Sequence, residues 1–534
     1  MTSTALRAAG LWLVATALAA AQTAPNGSGG GPDRSDAFFR KGEVPRLEID
    51  LKAADLERLK EAPRTYHPAD VRENEKTLYA AAVKLKGAAG SYRDWDDKPG
   101  LTLRFDRADK QGRFKDLRKV HLNNAAQDES YLHELLAGEM MRAAGVPAPR
   151  CTHARVRLNG RDVGLYVVKE GFDREFLKRW FKAPDGALYD GGFCQDVDAA
   201  LERDAGSGPE DRADLKALLA AAQDPDVKRR WASLEQTVEI KPFVTFMAME
   251  LMLAHWDGYT ANRNNYRLYF EPSTRKAHFL PHGMDQVWTE IDHPILDGPS
   301  GLVASAVMKN PTWRALFRKR VGELLPLFAP EKLHPRVDEL HARLKPTLTA
   351  MGPDVARDYE GRARRLKDRI AARAKSLREQ ATQPEPKPLA FVAKKPVALG
   401  PPWRPASESE DAKLADVKLA GERAYLVQAG PGRSCIAGWR KTVLLPRGRY
   451  RFQASVQTED VEPLEAPENR GAGVRISGGA RPDGFLGSVF GKTSEIEFEV
   501  TEEARDVELI AELRAAKGRA WFRVDGFRLT KLDR

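Results

Sequence analysis

Apolar and polar residues follow two different patterns in the first part of the chain. Apolar residues alternate or cluster as in strands over 78–86 and 101–105, and two further strands within 155–168 are separated by Asn159-Gly160, a pair typical of tight hairpins. Over 130–144 the apolar residues have helical spacing, with Ser130 as the N-cap and Gly145 as the stop. The pattern predicts a strand-rich beginning with one early helix.

The following segment is mainly helical. Helical spacing covers 172–181 and 243–256, a hairpin is predicted from 266–270 and 278–280, and further helices continue to about residue 381. The order of these elements indicates an α+β domain with a helical second half.

The end of the chain has a period of two. Apolar residues alternate with charged or polar ones in three stretches, 449–456, 496–500 and 507–513, and Gly-rich turns such as Ser477-Gly478-Gly479 lie between strands. This pattern predicts an all-β sandwich domain of the jelly-roll type over 403–534, resembling carbohydrate-binding modules.

Composition sets the boundaries between these parts. Residues 1–21 contain one charge, Arg7, then an uncharged run that ends in small residues, which is typical of a signal peptide. Residues 22–43 are predicted to be a flexible linker, and the proline-rich stretch 382–402 a stiff one. The folded domain between the two linkers therefore covers 44–381.

Charge and cysteine content exclude several classes of protein. The chain has 534 residues and a net charge of +10, but the excess is spread over both domains. The basic stretch 362–378 contains no interleaved aromatic residues, so we interpret it as the solvated face of a closing helix and expect no nucleic-acid partner. Three scattered cysteines allow at most one disulfide, and no later segment predicts a transmembrane span in the mature chain.

The most informative stretch carries two acids and three asparagines. Asp257 follows a predicted helix, Asn262, Asn264 and Asn265 precede the hairpin, and Asp285 follows it. Carboxylate and amide oxygens suit Mg²⁺ with phosphates, and the spacing from His255 to Asn262 matches the catalytic loop of protein kinases. All three asparagines remain candidates for the metal site.

Several ordered blocks make the chain resemble the CotH family of secreted, spore-coat-type atypical kinases. The resemblance runs from about residue 45 to 380, and its blocks, besides 257–285, are 85–91, 97–99 with 103–105, 121–124 with 128–134, and 164–173. One departure is Gly283: where many members read Pro-Trp-Asp-x-Asp, this chain reads Pro281-His282-Gly283-Met284-Asp285.

The resemblance implies a diverged protein-kinase-like fold that uses ATP with Mg²⁺ or Mn²⁺. It implies Asp257 as the catalytic acid and Asp285 as a metal ligand. Lys98 is the expected phosphate-neutralising residue, with Arg104 as the alternative, and Glu134 or Glu139 would orient it. Glu170, next to Lys169, is a candidate for the nucleotide hinge or is the exposed end of a strand.

We therefore expect an exported kinase that transfers the ATP γ-phosphoryl group to Ser/Thr hydroxyls of a protein in the envelope or extracellular space. The alternative is a catalytically weak surface protein, structural or adhesive, whose sandwich domain binds polysaccharide. The alternative is motivated by position 283, where this chain has glycine instead of the acid found in many members of the family.

Overall fold

The computed structural model describes residues 34–40, 42–296, 298–385, 387–392, 394–430, 434–464, 470–479 and 481–532. The chain divides into two units between Gln383 and Pro384. The first unit mixes helices and strands and the second is rich in strands, as the sequence predicts. The predicted signal peptide, 1–21, lies outside the described residues.

Seven strands of the first unit close into a barrel in the order β1-β2-β3-β4-β5-β7-β6. Strand β6 runs parallel to β1 and closes it, while the other neighbours are antiparallel. The predicted hairpin joins β6 to β7, with both Asn159 and Gly160 at positive φ. The strands are β1 Arg46–Asp50, β2 His67–Glu73, β3 Thr77–Lys86, β4 Gly100–Arg104, β5 Lys119–Asn123, β6 Cys151–Leu158 and β7 Arg161–Glu170.

Two short helices accompany the barrel, α1 Arg34–Arg40 and α2 Ala53–Glu61. Helix α1 falls within 22–43, so the prediction of a flexible linker is wrong for its later part. Phe38 of α1 is buried with its ring 5.1 Å from that of Phe114, and Arg150 donates to Ser35 Oγ at 2.7 Å. Apolar burial by two adjacent phenylalanines stabilises this helix against the barrel.

The helical second half of this unit surrounds a four-stranded sheet of order β11-β10-β8-β9. Its strands are β8 Leu188–Asp190, β9 Arg203–Ala205, β10 Tyr266–Glu271 and β11 Lys276–Pro281. The helices are α3 His133–Ala143, α4 Arg174–Lys178, α5 Ala213–Gln223, α6 Val227–Thr237, α7 Ile240–Met252, α8 Tyr259–Asn262, α9 Leu302–Met308, α10 Pro311–Leu324, α11 Pro330–Met351 and α12 Pro353–Ala381, with short 3₁₀ turns at Met284–Gln286 and Leu325–Phe328.

The early helix starts later than predicted, because its N-cap is not Ser130. Helix α3 begins at His133, and the carboxylate of Asp128 accepts from the backbone N–H of His133 at 2.9 Å. Asp128 also accepts from the Ser130 hydroxyl at 2.6 Å, so the serine completes a turn in front of the helix. The carboxylate takes the role that we predicted for the hydroxyl.

The basic stretch 362–378 lies in the closing helix α12, as predicted, but one of its arginines is not solvated. Arg373 is fully buried and donates to four backbone oxygens, those of Leu251, Met252, Ile291 and His293. Two of these carbonyls end helix α7, where intrahelical donors run out. Arg373 therefore fixes the end of the helix that precedes the Asp257 loop.

The described residues of the second unit include nine strands and a core of their own. They are β12 Val397–Ala398, β13 Arg404–Ser407, β14 Lys413–Leu419, β15 Glu422–Gln428, β16 Cys435–Glu462, β17 Gly471–Ile476, β18 Gly487–Ala515, β19 Lys517–Arg523 and β20 Arg528–Leu532, with a 3₁₀ turn at Val524–Gly526. The long strands β16 and β18 pair along their length, with register shifts near Pro446 and on both sides of Thr458. Trp439 and Trp521 are buried in this β-sandwich, as the strand pattern favours.

The stretch 382–402 is not a free linker in its later part. The N–H of Leu389 donates to the carbonyl of Leu444, β12 pairs with β20, and Leu399 is buried in the second core. These residues belong to the sandwich because their apolar side chains pack against its hydrophobic core.

All three cysteines are free thiols. None of the helices in the described ranges is long and apolar enough to cross a membrane.

Arg373 generates a prediction about stability. Arg373→Met keeps most of the side-chain volume but leaves four buried carbonyls without their donor, so we expect a loss of about 3 kcal/mol in unfolding free energy. Urea unfolding of the full chain measures it. Arg364→Met, on the exposed face of the same helix, is the control and should change the midpoint little; equal midpoints for the two variants would contradict this role of Arg373.

Candidate functional site

The predicted acid Asp257 is held by all three predicted asparagines. Its Oδ1 accepts from Nδ2 of Asn262 at 2.7 Å and of Asn264 at 3.1 Å, and its Oδ2 accepts from Nδ2 of Asn265 at 2.7 Å. A half-buried carboxylate with three amide donors has a fixed orientation. The structure thus brings four of the predicted site residues together, with the asparagines as donors to the acid.

The loop that carries Asp257 is anchored by a residue that the sequence did not reveal. Glu250, in helix α7, is fully buried and accepts from the backbone N–H of Tyr259 at 3.2 Å and of Thr260 at 2.8 Å. It also accepts from the Thr260 hydroxyl at 2.6 Å. Burial raises the pKa of Glu250 to about 7, although these three hydrogen bonds oppose the shift.

Two contacts join the Asp257 loop to the segment before Asp285. The backbone N–H of His282 donates to the carbonyl of Asn265 at 2.8 Å, and Nε2 of His255 donates to the carbonyl of His282 at 3.1 Å. Gly283 follows with φ +53°, and a Cβ built on it would lie 2.2 Å from Oδ1 of Asn265. Only a residue without a side chain fits between the two segments in this arrangement.

One face of the barrel carries several basic side chains. Register pairs β3 Lys84 with Thr102, Thr102 with His121, and His121 with Lys169, so these side chains share a face. Their neighbours along the strands point into the barrel core. The basic face consists of Lys84, Lys86, Arg104, Lys119, His121 and Lys169.

Lys169 and Glu134 form an ion pair at the centre of this face, with side chains 0% and 2% exposed. Nζ of Lys169 also donates to Nδ1 of His282 at 2.8 Å. Asn123 connects a second lysine to the same acid: its Oδ1 accepts from Nζ of Lys86, and its Nδ2 donates to Glu134.

Two titratable groups next to this pair have shifted pKa values. Burial lowers the pKa of Lys86 to about 8, although Glu134 opposes the shift. Burial, and then the negative charge of Glu134, raise the pKa of Asp285 to about 7. A buried acid destabilised by a neighbouring acid is a place where a cation would be stabilising.

No group of three or more His, Cys, Asp or Glu residues that could hold a metal occurs in the described part of the chain. A metal here would need amide oxygens beside the carboxylates, and the predicted residues Asp257, Asp285 and the three asparagines offer both types of oxygen. This mixed set of oxygen donors suits Mg²⁺ or Mn²⁺ better than a softer metal.

The expected basic partners of phosphate lie elsewhere. Nζ of Lys98 donates to the hydroxyl of Tyr131 at 2.8 Å and lies over the rings of Tyr131 and Tyr166, 4.8 and 5.2 Å from their centroids. Arg104 is on the basic face but forms a two-bond pair with Asp106, at 2.7 and 2.9 Å. Neither has a described contact with Asp257, Asp285 or Glu134.

Glu170 and Glu139 also have structural partners. Burial would raise the pKa of Glu170, but Arg179 and Arg150 outweigh it and hold the pKa at about 2. Glu170 is 1% exposed, so its interpretation as an exposed strand end is wrong. Glu139 pairs with Arg336 at 2.7 Å, so of the two acids expected to orient a lysine, Glu134 is the one that contacts a lysine of the basic face.

The sequence contained a signal for Lys86 and Lys169 that we did not use. Lys86 ends the stretch 78–86, in which Lys84 is the one other charged residue, and it precedes a glycine; Lys169 follows the uncharged stretch 163–168 and precedes an acid. A lysine that continues a buried strand instead of a loop is a candidate for a buried charged role.

The sequence model of the family described as "CotH kinase protein" matches residues 83–377, more than half of the chain. The inner spore coat protein H of Bacillus subtilis is 22% identical over 272 residues, which are 46% of this chain and 73% of that protein. Invasins and a spore coat protein homologue of Rhizopus delemar match at 21–25% identity, and the chain spans less than half the length of each.

Two solved structures are similar over parts of the chain. The Helicobacter pylori proinflammatory kinase CtkA is 10% identical, with 53% of this chain and 92% of that chain covered and a TM-score of 0.29. TmCBM61 in complex with β-1,4-galactotriose is 19% identical, with 24% and 88% covered and a TM-score of 0.17. At these TM-scores the similarities support no conclusion about fold or ligand.

The environment of Lys86 generates a prediction about its reactivity. Because burial lowers its pKa to about 8, we expect its acetylation by limiting reagent to reach half-maximal rate near pH 8, where an ordinary lysine is still largely protonated. Peptide mass spectrometry of the labelled full chain measures this rate. Glu134→Gln should move the midpoint to lower pH, because Glu134 stabilises the charged amine; a midpoint above pH 10 in the unaltered chain would show that the amine is not desolvated.

Proposed function

The chain belongs to the CotH kinase protein family, and we propose that it is an exported kinase which transfers the ATP γ-phosphoryl group to Ser/Thr hydroxyls of proteins. The observation that carries the proposal is the position of Asp257. Three asparagine amides orient this acid, and its loop is hydrogen-bonded to the segment before Asp285. Of the two lysines connected to Glu134, Lys169 is buried and Lys86 is half-buried. Phosphoryl transfer depends mainly on such positioning and on charge neutralisation.

In this proposal Asp257 acts on the acceptor. A carboxylate oriented by Asn262, Asn264 and Asn265 can accept the proton of a hydroxyl as the hydroxyl attacks phosphorus. We refer to the region of Asp257, Asp285, Lys86 and Lys169 as the proposed nucleotide cleft. Glu250 lies outside this cleft but holds the turn that follows Asp257, so the position of Asp257 depends on it.

Lys86 and Lys169 replace Lys98 and Arg104 as the residues that neutralise phosphate. Both lysines are connected to Glu134, Lys169 directly and Lys86 through Asn123, so their ammonium groups are held on the cleft side of the barrel. A lysine oriented by an acid on the adjacent helix is a recurring part of kinase sites.

Asp285 and Asn262 are the residues that would hold Mg²⁺ or Mn²⁺. A bound divalent cation would neutralise the triphosphate during transfer. The same cation would relieve the repulsion between Asp285 and Glu134 that raises the pKa of Asp285.

We extend the proposal to the remaining architecture and location. The first unit, from Arg34 to Ala381, forms a diverged protein-kinase-like domain, and the strands from Val397 to Leu532 form a jelly-roll-like sandwich. The segment 1–21 directs export, and the protein acts in the periplasm, at the cell surface or after secretion. The relative named as a spore coat protein supports a surface location.

The activity is tested with radiolabelled ATP, Mg²⁺ and purified full chain, with labelling of the chain and of an added general protein acceptor as readout. We expect Asp257→Ala, Asp285→Ala, Lys86→Met and Lys169→Met each to lower the rate by about 100-fold or more, because each removes a charge at the reacting groups.

Lys98→Met is the matched control, since it removes a lysine charge from the same domain without touching the cleft, and we expect a change of less than about threefold. Equal labelling by the unaltered chain and by Asp257→Ala and Asp285→Ala would overturn the proposal. A large loss in Lys98→Met alone would restore the assignment made from the sequence.

A second candidate function is that of a surface protein which is catalytically weak and adheres to polysaccharide. Gly283 in place of an acid supports the first part, and the aromatic ring of Phe490, which is 78% exposed, supports the second. Sugars stack on such rings when polar groups lie nearby.

This candidate predicts that the full chain sediments with an insoluble β-linked polysaccharide and that Phe490→Ala lowers the bound fraction by about fivefold or more. Leu78→Ala, an exposed apolar residue of the first unit, is the control and should bind normally. Calorimetry with ATP and Mg²⁺ separates the two functions, because a scaffold without a nucleotide site gives no metal-dependent heat.

A further inference from the structure

A cavity of about 200 Å³ lies outside the proposed nucleotide cleft. Its wall comes from three places: the turn before helix α3 and its first residue, the stretch after Asp285, and helix α12. The lining includes Ser130, His133, Thr289, Arg362, Arg365 and Arg369. Three elements that are distant in sequence thus meet around one polar cavity.

The cavity is rich in guanidinium groups. Arg362, Arg365 and Arg369 are spaced by three and four residues, so they share one face of helix α12. Arg362 donates through Nη1 to the carbonyl of Glu129 at 3.0 Å and through Nη2 to the carboxylate of Asp358, and its buried Nε has no hydrogen-bond partner among the described residues. Arg365 and Arg369 are exposed on the same face, so their guanidinium groups are accessible to an added acceptor.

Acids next to the cavity pair with two of the three arginines, Asp358 with Arg362 and Glu129 with Arg365, whereas Arg369 has no described carboxylate partner. The carboxylate of Asp128 is turned inward and accepts from Ser130 and from the start of helix α3. Glu129 pairs with Arg365 at 3.2 Å, but both side chains are exposed, 72% and 55%. An exposed pair of this kind contributes little to stability, so a doubly charged oxyanion can displace Glu129.

We propose that this cavity is a binding site for a phosphate-type dianion, held by Arg362, Arg365 and Arg369. The ligand chemistry is that of inorganic phosphate or of a phosphorylated side chain. Three guanidinium groups on one helix face match the three oxygens of such a group.

The site adjoins the cleft through one residue. His133 lines the cavity, its Nδ1 donates to the carbonyl of Asp285 at 2.9 Å, and Glu134 is the next residue. A dianion beside His133 therefore acts on the helix that orients Lys169 and on the Asp285 segment at once. This regulatory part rests on the proposed kinase function, whereas binding of the anion does not.

Isothermal titration of the full chain with inorganic phosphate, without ATP or metal, tests the binding. We expect a double variant, Arg365→Ala with Arg369→Ala, to weaken binding by at least tenfold. Arg369→Gln, which removes the charge but keeps a polar side chain, should weaken it by about threefold. Arg364→Ala, exposed on the same helix and outside the cavity, is the charge-matched control and should bind as the unaltered chain does.

Lys86→Met distinguishes this cavity from the proposed nucleotide site: affinity that is lost in Lys86→Met but kept in the double arginine variant would place the phosphate at the nucleotide site and overturn the proposal. Undiminished affinity in the double arginine variant, or an equal loss in Arg364→Ala, would also overturn it. A phosphoserine peptide that binds at least tenfold more tightly than inorganic phosphate would identify a phosphorylated chain as the source, and equal affinity would identify free phosphate. These outcomes do not depend on phosphoryl transfer, so failure here is distinct from failure of the kinase assay.

Discussion

The ion pair of Lys169 with Glu134 is almost completely removed from water. Desolvation of two such charges can exceed their mutual attraction unless further hydrogen bonds complete both groups. Here Asn123 donates to the acid and His282 accepts from the amine. The four residues come from β7, α3, β5 and the end of the β10–β11 hairpin. The hydrogen bonds of the ion pair are therefore complete only when the barrel and the helical half pack in one particular arrangement. The position of Asp285 relative to the basic face follows from that requirement.

The parts of the site that the sequence predicts are those in which neighbouring residues interact. Asp257 and its three asparagines lie within nine positions, so short-range turn geometry is enough to bring them together. The same holds for the Asn159-Gly160 hairpin, where the turn residues alone determine the conformation. The α+β order and the alternating strands of the sandwich were also readable, since each is a property of local periodicity.

What could not be predicted depends on pairing between distant strands. Proposing Lys86 instead of Lys98 as a phosphate-neutralising residue requires knowledge of the register of β3 with β4. That register decides whether a side chain of β3 enters the barrel core or lies on the basic face. Closure of the barrel by parallel β1 and β6 likewise has no local signal. The prediction of two linkers is partly wrong. Composition shows that Phe38 and Leu399 are apolar, but it does not show that each has a core in which it is buried.

Gly283 constrains how this site can change by mutation. With Oδ1 of Asn265 only 2.2 Å from where a Cβ would lie, an aspartate cannot be introduced at 283 while Asn265 keeps its present position as a donor to Asp257. Positions 265 and 283 are therefore epistatic: the acid of the Pro-Trp-Asp-x-Asp pattern and this cradle of three asparagines exclude each other. A lineage that moves between the two arrangements has to alter residue 265 first, or pass through an intermediate in which Asp257 is poorly held.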